Sequence, residues 1–252
     1  MGLGPRAHWR FRLDTASVSE VCLYEGGSTL GYLNDTGHLA GGVVQGVTHG
    51  TRPGRLILVL GGARSGKSSF AQQLAHELGG EQVLFVATAG AGDEEMRRRI
   101  EKHQRERPAG WLTLEAQRDV GQAILDHAAE PRVILVDCLT LLVSNLLVDA
   151  DDPFAADVEA QVMAEVEGLE ACVEQHSGYL IVVSNEVGLG LVPPYPLGRA
   201  YRDLLGRANH VLARVADDVY MMVAGIPVLI KGSGIGNAEQ SVELAMPPKD
   251  DR

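Results

Sequence analysis

Cysteine is scarce in this sequence and is not arranged for a disulfide framework or a zinc site. The 252 residues include three cysteines, Cys22, Cys138 and Cys172, which are widely spaced and form no CxxC pair. Such usage is typical of a reducing compartment. The sequence also lacks any apolar run of about 18 residues, the length that a membrane-spanning helix needs, and residues 1–20 lack the apolar core of a secretory signal. We therefore expect a cytoplasmic protein with no membrane span.

Positive charge is also in short supply. Lys and Arg total 22 against 33 Asp and Glu, which gives a formal net charge of −11. General nucleic-acid binders and anionic-membrane binders need a basic surface, so both classes are excluded. The net charge does not exclude a local basic pocket that binds a phosphorylated ligand. The apolar share of 45% is ordinary for a globular protein that buries a core.

The first fifty residues differ in composition from the rest. Residues 1–53 hold ten of the 30 glycines and no lysine, and they carry four charges of each sign, so the whole net charge lies beyond them. Neither the helical period of apolar residues nor a regular alternation of apolar and polar residues continues over any length there. We interpret 1–53 as a weakly ordered leader; a small β-rich extension, or a start codon placed too far upstream, are the alternatives. Residues 54–232 form the main domain and 233–252 a polar tail.

From residue 54 onward, short apolar runs alternate with segments of helical period. Strands are predicted at 56–60, 83–87, 112–114, 133–136, 179–184, 219–223 and 228–231. Helices are predicted at 68–78, 93–107, 117–129, 139–148, 154–176 and 197–216. This alternation predicts an α/β fold, with a mostly parallel sheet and helices on both faces.

A complete phosphate-binding motif follows the first of these strands. Its GxxxxGK[ST] pattern comprises Gly61, Gly62, Ala63, Arg64, Ser65, Gly66, Lys67 and Ser68. The glycines let backbone N–H groups approach phosphate oxygens, and the following helix adds the partial positive charge of its N-terminus. Lys67 can neutralise β- and γ-phosphate charge, and the Ser68 hydroxyl can bind Mg²⁺. The motif predicts nucleotide binding.

An acidic residue ends a later apolar strand. Asp137 follows Val133 to Val136, as a Walker-B carboxylate would, and can hold Mg²⁺ directly or through water; a solvated strand-end aspartate is the alternative. Cys138 beside it has no identifiable base, so we interpret it as structural. These features indicate a P-loop NTPase without distinguishing a kinase from a motor or a switch.

A histidine lies in an unusually basic stretch of this acidic chain. Residues 93–107 contain six cations against five anions, with His103 at helical spacing from Met96 and Ile100. One interpretation is that His103 only borders the apolar face through which this predicted helix packs. Alternatively, cations near a phosphate site can hold a triphosphate, and a neutral imidazole could then attack a phosphorus atom.

The order and spacing of several motifs resemble the CobU/CobP family over residues 55–232. Besides the phosphate loop, these motifs are Arg99-Ile100 with His103, Arg107-Pro108 with Trp111, Asn185-Glu186-Val187-Gly188 with Gly190, Val192 and Pro193, and Arg202-Asp203 with Gly206-Arg207 and Asn209. The family is bifunctional, combining adenosylcobinamide kinase with adenosylcobinamide-phosphate guanylyltransferase. The resemblance implies a RecA-like P-loop fold, a homotrimer, Mg²⁺ and GTP as cofactors (with ATP also possible for the kinase step), and His103 as the guanylylated nucleophile. A RecA-type ATPase or switch without a small-molecule acceptor, or a kinase-only member, are the alternatives.

The resemblance also assigns contact residues. Nucleotide contacts fall on Thr88, Gln104, Arg105, Glu106, Arg107, Glu115 and Asp137. Glu115 would accept hydrogen bonds from guanine N1 and N2; an exposed strand-end glutamate is the alternative. Substrate contacts, to adenosylcobinamide or its phosphate, fall on Asn185, Glu186, Arg199 and Arg202, with Arg207 nearby. For the arginines, a solvated helix face is the alternative.

Overall fold

The computed structural model describes residues 18–24, 27–35, 53–90, 107–127 and 131–234. The chain divides into two compact units, Met1–Gly50 and Thr51–Arg252. In the first unit, strands β1 (Val18–Tyr24) and β2 (Gly27–Asp35) pair antiparallel. The role of the leader and the domain bounds stay predictions.

The second unit alternates strands and helices, as expected. Its strands are β3 (Arg55–Gly61), β4 (Val83–Ala87), β5 (Leu112–Glu115), β6 (Val133–Asp137), β7 (Tyr179–Val183), β8 (Asp218–Val223) and β9 (Ile226–Lys231). Its helices are α1 (Lys67–Gly79), α2 (Val120–Leu125), α3 (Leu139–Val148), α4 (Ala156–Gln175) and α5 (Pro196–Val215). Although α4 and α5 each have 20 residues, none of the helices described is apolar enough over sufficient length to cross a membrane.

These strands form one seven-stranded sheet in the order β5-β4-β6-β7-β3-β8-β9. Every neighbouring pair is parallel except β8 and β9. The predicted α/β class with a mostly parallel sheet is therefore confirmed. Because β3 lies centrally, its carboxyl end brings the phosphate loop to the middle of the sheet edge where α/β proteins bind ligands.

Helices cover both faces of the sheet. On one face, Phe70 and Leu74 of α1 pack with Phe85 and Leu135 in one apolar cluster. On the other, α2, α3, α4 and α5 pack in a second cluster that includes Leu58 of β3. Burial on both faces explains why the central strands are apolar at consecutive positions instead of alternating.

One predicted helix was wrong in its bounds. Within 117–127, the described part of this segment, the helix is α2, which begins at Val120 because Asp119 adopts a left-handed conformation with φ of 50° immediately before it. The Glu165 carboxylate of α4 accepts hydrogen bonds from the N–H groups of Asp119 and Val120, which fixes the start of α2. The predicted helix 93–107 lies outside the described residues apart from its last residue, as does most of the tail 233–252.

Candidate active site

The phosphate loop joins β3 to α1 through two glycines with positive φ. Gly61 has φ of 152° and Gly66, the residue before α1, has φ of 91°. A Cβ atom on Gly61 would lie 2.7 Å from Ser65 Oγ and 2.8 Å from the Met222 carbonyl oxygen. Glycine at position 61 is therefore required by space as well as by conformation. The exposed residues of the loop are Gly62, Ala63 and Arg64.

Two buried polar groups line this loop. Lys67 is only 8% exposed, and its Nζ donates a 2.6 Å hydrogen bond to the Gly62 carbonyl oxygen. Ser65 Oγ is buried and has no hydrogen-bond partner among the described residues. Buried hydroxyls are normally paired, so Ser65 Oγ has capacity left for a ligand oxygen. Ser68, in the first turn of α1, is partly exposed.

Two carboxylates end strands on either side of β4. Ala87, the last residue of β4, is paired in register with Glu115 of β5 and with Asp137 of β6. Residues in register on parallel strands project to the same face, which here is the face covered by α1 because Ala87 packs in that cluster. The phosphate loop and both carboxylates are therefore on one side of the sheet.

Arg107 lies between these two acids. Its guanidinium carbon is 3.5 Å from the centre of the Phe85 ring. Burial lowers the pKa of Arg107, whereas the nearby carboxylates of Asp137 and Glu115 raise it. Arg107 Nε is buried without a hydrogen-bond partner in the described part of the chain. The structure thus brings together Arg107, Asp137 and Glu115, which the sequence predicts to lie in the nucleotide site. Arg107 Nε has capacity left to donate a hydrogen bond to a ligand.

Thr88 connects the end of β4 to the end of β6. Its hydroxyl donates to the Cys138 carbonyl oxygen at 2.7 Å and accepts from the Cys138 N–H at 2.9 Å. The Thr88 carbonyl oxygen in turn accepts from Asn145 Nδ2 at 2.9 Å. Thr88 is completely buried, so it holds the Asp137-Cys138 segment in place. Its predicted nucleotide contact stays a prediction, since the hydroxyl proton is already used within the protein.

Cys138 is poorly suited to nucleophilic catalysis. Burial, together with the neighbouring Asp137 carboxylate, raises the pKa of the Cys138 thiol to about 11. The thiolate is the nucleophilic form, so at neutral pH this side chain is an unreactive thiol. The structure supports the structural interpretation of Cys138.

The Asn185-Glu186 turn lies beside the phosphate loop. The Glu186 N–H donates to the Gly61 carbonyl oxygen at 3.0 Å, and the Glu186 carboxylate accepts from the Gly188 N–H at 2.8 Å. The two residues predicted to meet substrate are thus fixed within reach of the nucleotide site. The sequence analysis gave no role to the buried side chains that hold this turn, Thr140, Ser184 and Asn209.

Three arginines of α5, the ones singled out from the sequence, all contact protein groups. Arg199 donates to the carbonyl oxygens of Pro193 and Pro194, at 3.3 and 2.8 Å. Arg202 pairs with its neighbour Asp203 at 3.3 Å. Arg207 forms an ion pair with Glu159 of α4, and both side chains are substantially exposed. The solvated-face alternative fits Arg207 best, while Arg199 stabilises the loop that follows Glu186.

Four predicted site residues are not among those that the structure describes. His103, the predicted nucleophile, lies outside the described residues together with Gln104, Arg105 and Glu106. Arg107, which follows them directly in sequence, is described and lies near Asp137 and Glu115.

The chain is similar to known proteins over most of the second unit. Residues 57–230 match the family model described as cobinamide kinase / cobinamide phosphate guanyltransferase. The bifunctional adenosylcobalamin biosynthesis protein CobP of Pseudomonas aeruginosa is 45% identical over 175 residues, which cover 69% of this chain and 96% of that protein. The CobU proteins of Escherichia coli and Salmonella typhimurium are 40% and 41% identical, each over 70% of this chain and 99% of theirs. The chain belongs to the cobinamide kinase / cobinamide phosphate guanyltransferase family.

Proposed function

We propose that this chain catalyses two consecutive transfers in adenosylcobalamin biosynthesis. The first phosphorylates the aminopropanol hydroxyl of adenosylcobinamide, and the second transfers GMP from GTP to the resulting adenosylcobinamide phosphate. The observation that carries the proposal is the family match, which spans 96% or more of relatives named as bifunctional enzymes of this pathway. The intact phosphate loop beside Asp137 supplies the geometry that both transfers need.

In the kinase step, the nucleoside triphosphate lies on the phosphate loop. The acceptor hydroxyl attacks the γ-phosphorus, and the bond to the β-phosphate oxygen breaks. Lys67 exchanges its hydrogen bond to Gly62 for phosphate oxygens and neutralises the charge of the transferring group. Ser65 Oγ, buried without a partner in the described structure, donates to a phosphate oxygen. Phosphoryl transfer depends mainly on such positioning and charge stabilisation.

The donor set fits a Mg²⁺ ion that arrives with the nucleotide. The described residues contain no cluster of three or more His, Cys, Asp or Glu side chains able to hold a metal. The Ser68 hydroxyl and the Asp137 carboxylate are hard oxygen donors of the kind that Mg²⁺ takes in small number, with water and phosphate completing its shell. When bound, the ion neutralises charge on the β- and γ-phosphates.

In the second transfer, His103 is the nucleophile. Its neutral imidazole nitrogen bonds to the α-phosphorus of GTP, pyrophosphate leaves, and the phosphate of adenosylcobinamide phosphate then takes GMP from the histidine. Arg107, stacked on Phe85 between Asp137 and Glu115, lies four residues from His103 and has a free Nε to bind phosphate. Glu115 accepts from the guanine N1 and N2 donors, which favours GTP over ATP in this half.

The exposed apolar surface supports the predicted homotrimer. Leu189, Leu191 and Val192 of the loop after Glu186 are 81%, 97% and 60% exposed. The edge strand β9 exposes Ile226 and Ile230, at 55% and 59%. Exposed apolar side chains that lie together on a surface are usually covered by another chain. Light scattering on the purified protein is expected to give three times the chain mass. We also propose that the protein is located in the cytoplasm.

Product analysis tests the proposed function. Wild-type protein with cobinamide, GTP and Mg²⁺ should form cobinamide phosphate first and cobinamide-GDP second, with release of pyrophosphate. Hydrolysis of the nucleotide without either corrinoid product would instead indicate a RecA-type ATPase or switch. Cobinamide phosphate without cobinamide-GDP would indicate a member that retains only the kinase activity.

A further inference from the structure

A buried polar network lies behind the Asn185-Glu186 turn. Asn209 of α5 accepts a 2.6 Å hydrogen bond from Ser184 Oγ at its Oδ1 atom. Its Nδ2 atom donates at 2.9 Å to the Asn185 carbonyl oxygen. From the other side, Thr140 Oγ1 of α3 accepts from the Asn185 N–H at 2.9 Å. Both backbone groups of Asn185 are therefore held by side chains from two different helices.

These side chains are almost fully buried. Asn209 is 5% exposed, Ser184 is completely buried and Thr140 is 8% exposed. A buried polar group costs free energy unless it is hydrogen-bonded, and a leucine in place of Asn209 would continue the apolar stripe of Leu205 and Leu212 on α5. The burial of Asn209 therefore depends on its two hydrogen bonds, which go to Ser184 and Asn185 at the turn beside the phosphate loop.

The network begins where the sheet's own hydrogen bonds end. The Ser184 N–H donates to the Val59 carbonyl oxygen, which continues the pairing of β7 with β3. The next residue, Asn185, has no strand partner for its backbone and depends on Thr140 and Asn209. The following N–H, of Glu186, returns to the Gly61 carbonyl oxygen of the phosphate loop. The position of the turn relative to the bound phosphates is thus set by these side chains.

We propose that Asn209, assisted by Thr140, is a positioning residue for phosphoryl transfer. Its carboxamide fixes the Asn185-Glu186 turn so that the two side chains meet the acceptor and the transferring phosphate in a reactive arrangement. This inference rests on the proposed function. Because Asn209 is buried behind the turn, its loss should lower kcat while leaving the binding of nucleotide to the loop unchanged.

The amide of Asn209 is chemically specific, which allows a near-isosteric test. Asn209→Asp keeps the oxygen that accepts from Ser184 but replaces the donor to Asn185 with a second oxygen. Thr140→Val removes the acceptor for the Asn185 N–H, and Thr140→Ser keeps it. Asp218→Asn serves as the matched control, because Asp218 is a completely buried polar residue at the opposite, amino end of the strands.

The experiment measures cobinamide phosphorylation over a range of substrate concentrations, together with nucleotide affinity by calorimetry, at a temperature where every variant is folded. We expect kcat to fall about 10- to 100-fold in Asn209→Asp and in Thr140→Val, as misplacement by a fraction of an ångström to 1 Å can cause. Nucleotide affinity should stay within about twofold. Thr140→Ser and Asp218→Asn should keep wild-type kcat.

An Asn209→Asp kcat no lower than that of Asp218→Asn would overturn the positioning role. If Asn209→Asp does not fold, the Thr140 pair decides: equal kcat for Thr140→Val and Thr140→Ser contradicts the proposal. Wild-type protein that phosphorylates no cobinamide would overturn the proposed function itself, a result that is distinct from an active wild type with an unimpaired Asn209→Asp.

Discussion

The two ends of the seven-stranded sheet use polar side chains differently. At the carboxyl end, the buried polar residues are Ser65, Lys67, Thr88, Thr140, Ser184 and Asn209. Among the described residues at the amino end, Asp218 is the buried polar one, and its carboxylate accepts from Arg55 at 2.7 Å and from the Gly234 N–H at 2.8 Å. Buried polar groups therefore concentrate at the carboxyl end, where we propose that the nucleotide and its acceptor bind.

Several polar groups at the amino end pair within the protein. The Asp217 carboxylate accepts from the Leu56 N–H at 2.7 Å, and Lys231 Nζ donates to the carbonyl oxygens of Ala213 and Arg214. The carboxyl end instead keeps Ser65 Oγ and Arg107 Nε without partners in the described structure. Unused hydrogen-bonding capacity is therefore present where the phosphates are expected. Four substitutions test this contrast.

Lys67→Ala at the carboxyl end should have the largest effect on chemistry. Loss of the ammonium removes charge stabilisation from the transferring phosphate, so kcat/KM for phosphorylation should fall about 10²- to 10³-fold. Thermal unfolding should change little, because the hydrogen bond to Gly62 is lost but the cost of burying a charge is relieved as well. Steady-state kinetics and calorimetry measure both. A variant that retains wild-type activity would exclude the loop as the phosphoryl-transfer site.

Thr88→Val should affect both stability and activity. The substitution leaves the N–H and carbonyl oxygen of Cys138 without their partner, which costs about 2 kcal/mol of unfolding free energy. Because Asp137 precedes Cys138 directly, phosphorylation should also slow. Thr88→Ser, which keeps the hydroxyl, is the control and should recover most of both losses. Equal behaviour of the two variants in urea unfolding and kinetics would exclude the proposed clamp.

Asp218→Asn at the amino end should reduce stability alone. Removing the charge weakens the pair with Arg55, whose side chain is 43% exposed, so the expected loss of unfolding free energy is about 1 kcal/mol. Because the site lies at the other end of the strands, kcat should be unchanged. A fall in kcat at a temperature where the variant is folded would show that the two ends are coupled.

Cys138 should give the smallest effect, visible only in alkali. The pKa of its thiol is raised from 9.0 to about 11 in the folded protein, so the folded state resists deprotonation. The resulting stability is present below pH 9 and is lost as the pH rises towards 11. Between pH 8 and 10, wild type should lose about 1 kcal/mol more unfolding free energy than Cys138→Ala. Parallel curves for the two proteins would contradict the raised pKa.

Local patterns in the sequence predicted most of the main domain. The phosphate motif, the apolar strands and α3 at 139–148 depend on neighbouring residues, and the structure confirms them. The start of α2 was missed because its determinant, Glu165, lies 46 residues from Asp119 in sequence. When the carboxylate that caps a short helix comes from another helix, no nearby residue in the sequence marks where the short helix begins.

The candidate site, like the fold, was predictable where it depends on local sequence patterns and was missed where it depends on contacts between distant residues. Asp137 and Glu115 end strands, so their position at the sheet edge follows from the alternation of elements. The hydrogen bonds of Thr88 and Asn209 join residues 50 and 24 positions apart, and no periodicity reveals them. Two signals pointed to Asn209: it is an asparagine on the otherwise apolar face of α5, and it belongs to a motif that carries the family resemblance.

The most direct test of the central claim, that the carboxyl end carries both transfers, is covalent labelling with GTP radioactive at the α-phosphate. Wild type, His103→Ala and Lys67→Ala are incubated with it, denatured and counted. We expect acid-labile, alkali-stable label on wild type, little on Lys67→Ala and none on His103→Ala. Folded, nucleotide-binding wild type that acquires no label, or label that persists on His103→Ala, would contradict it.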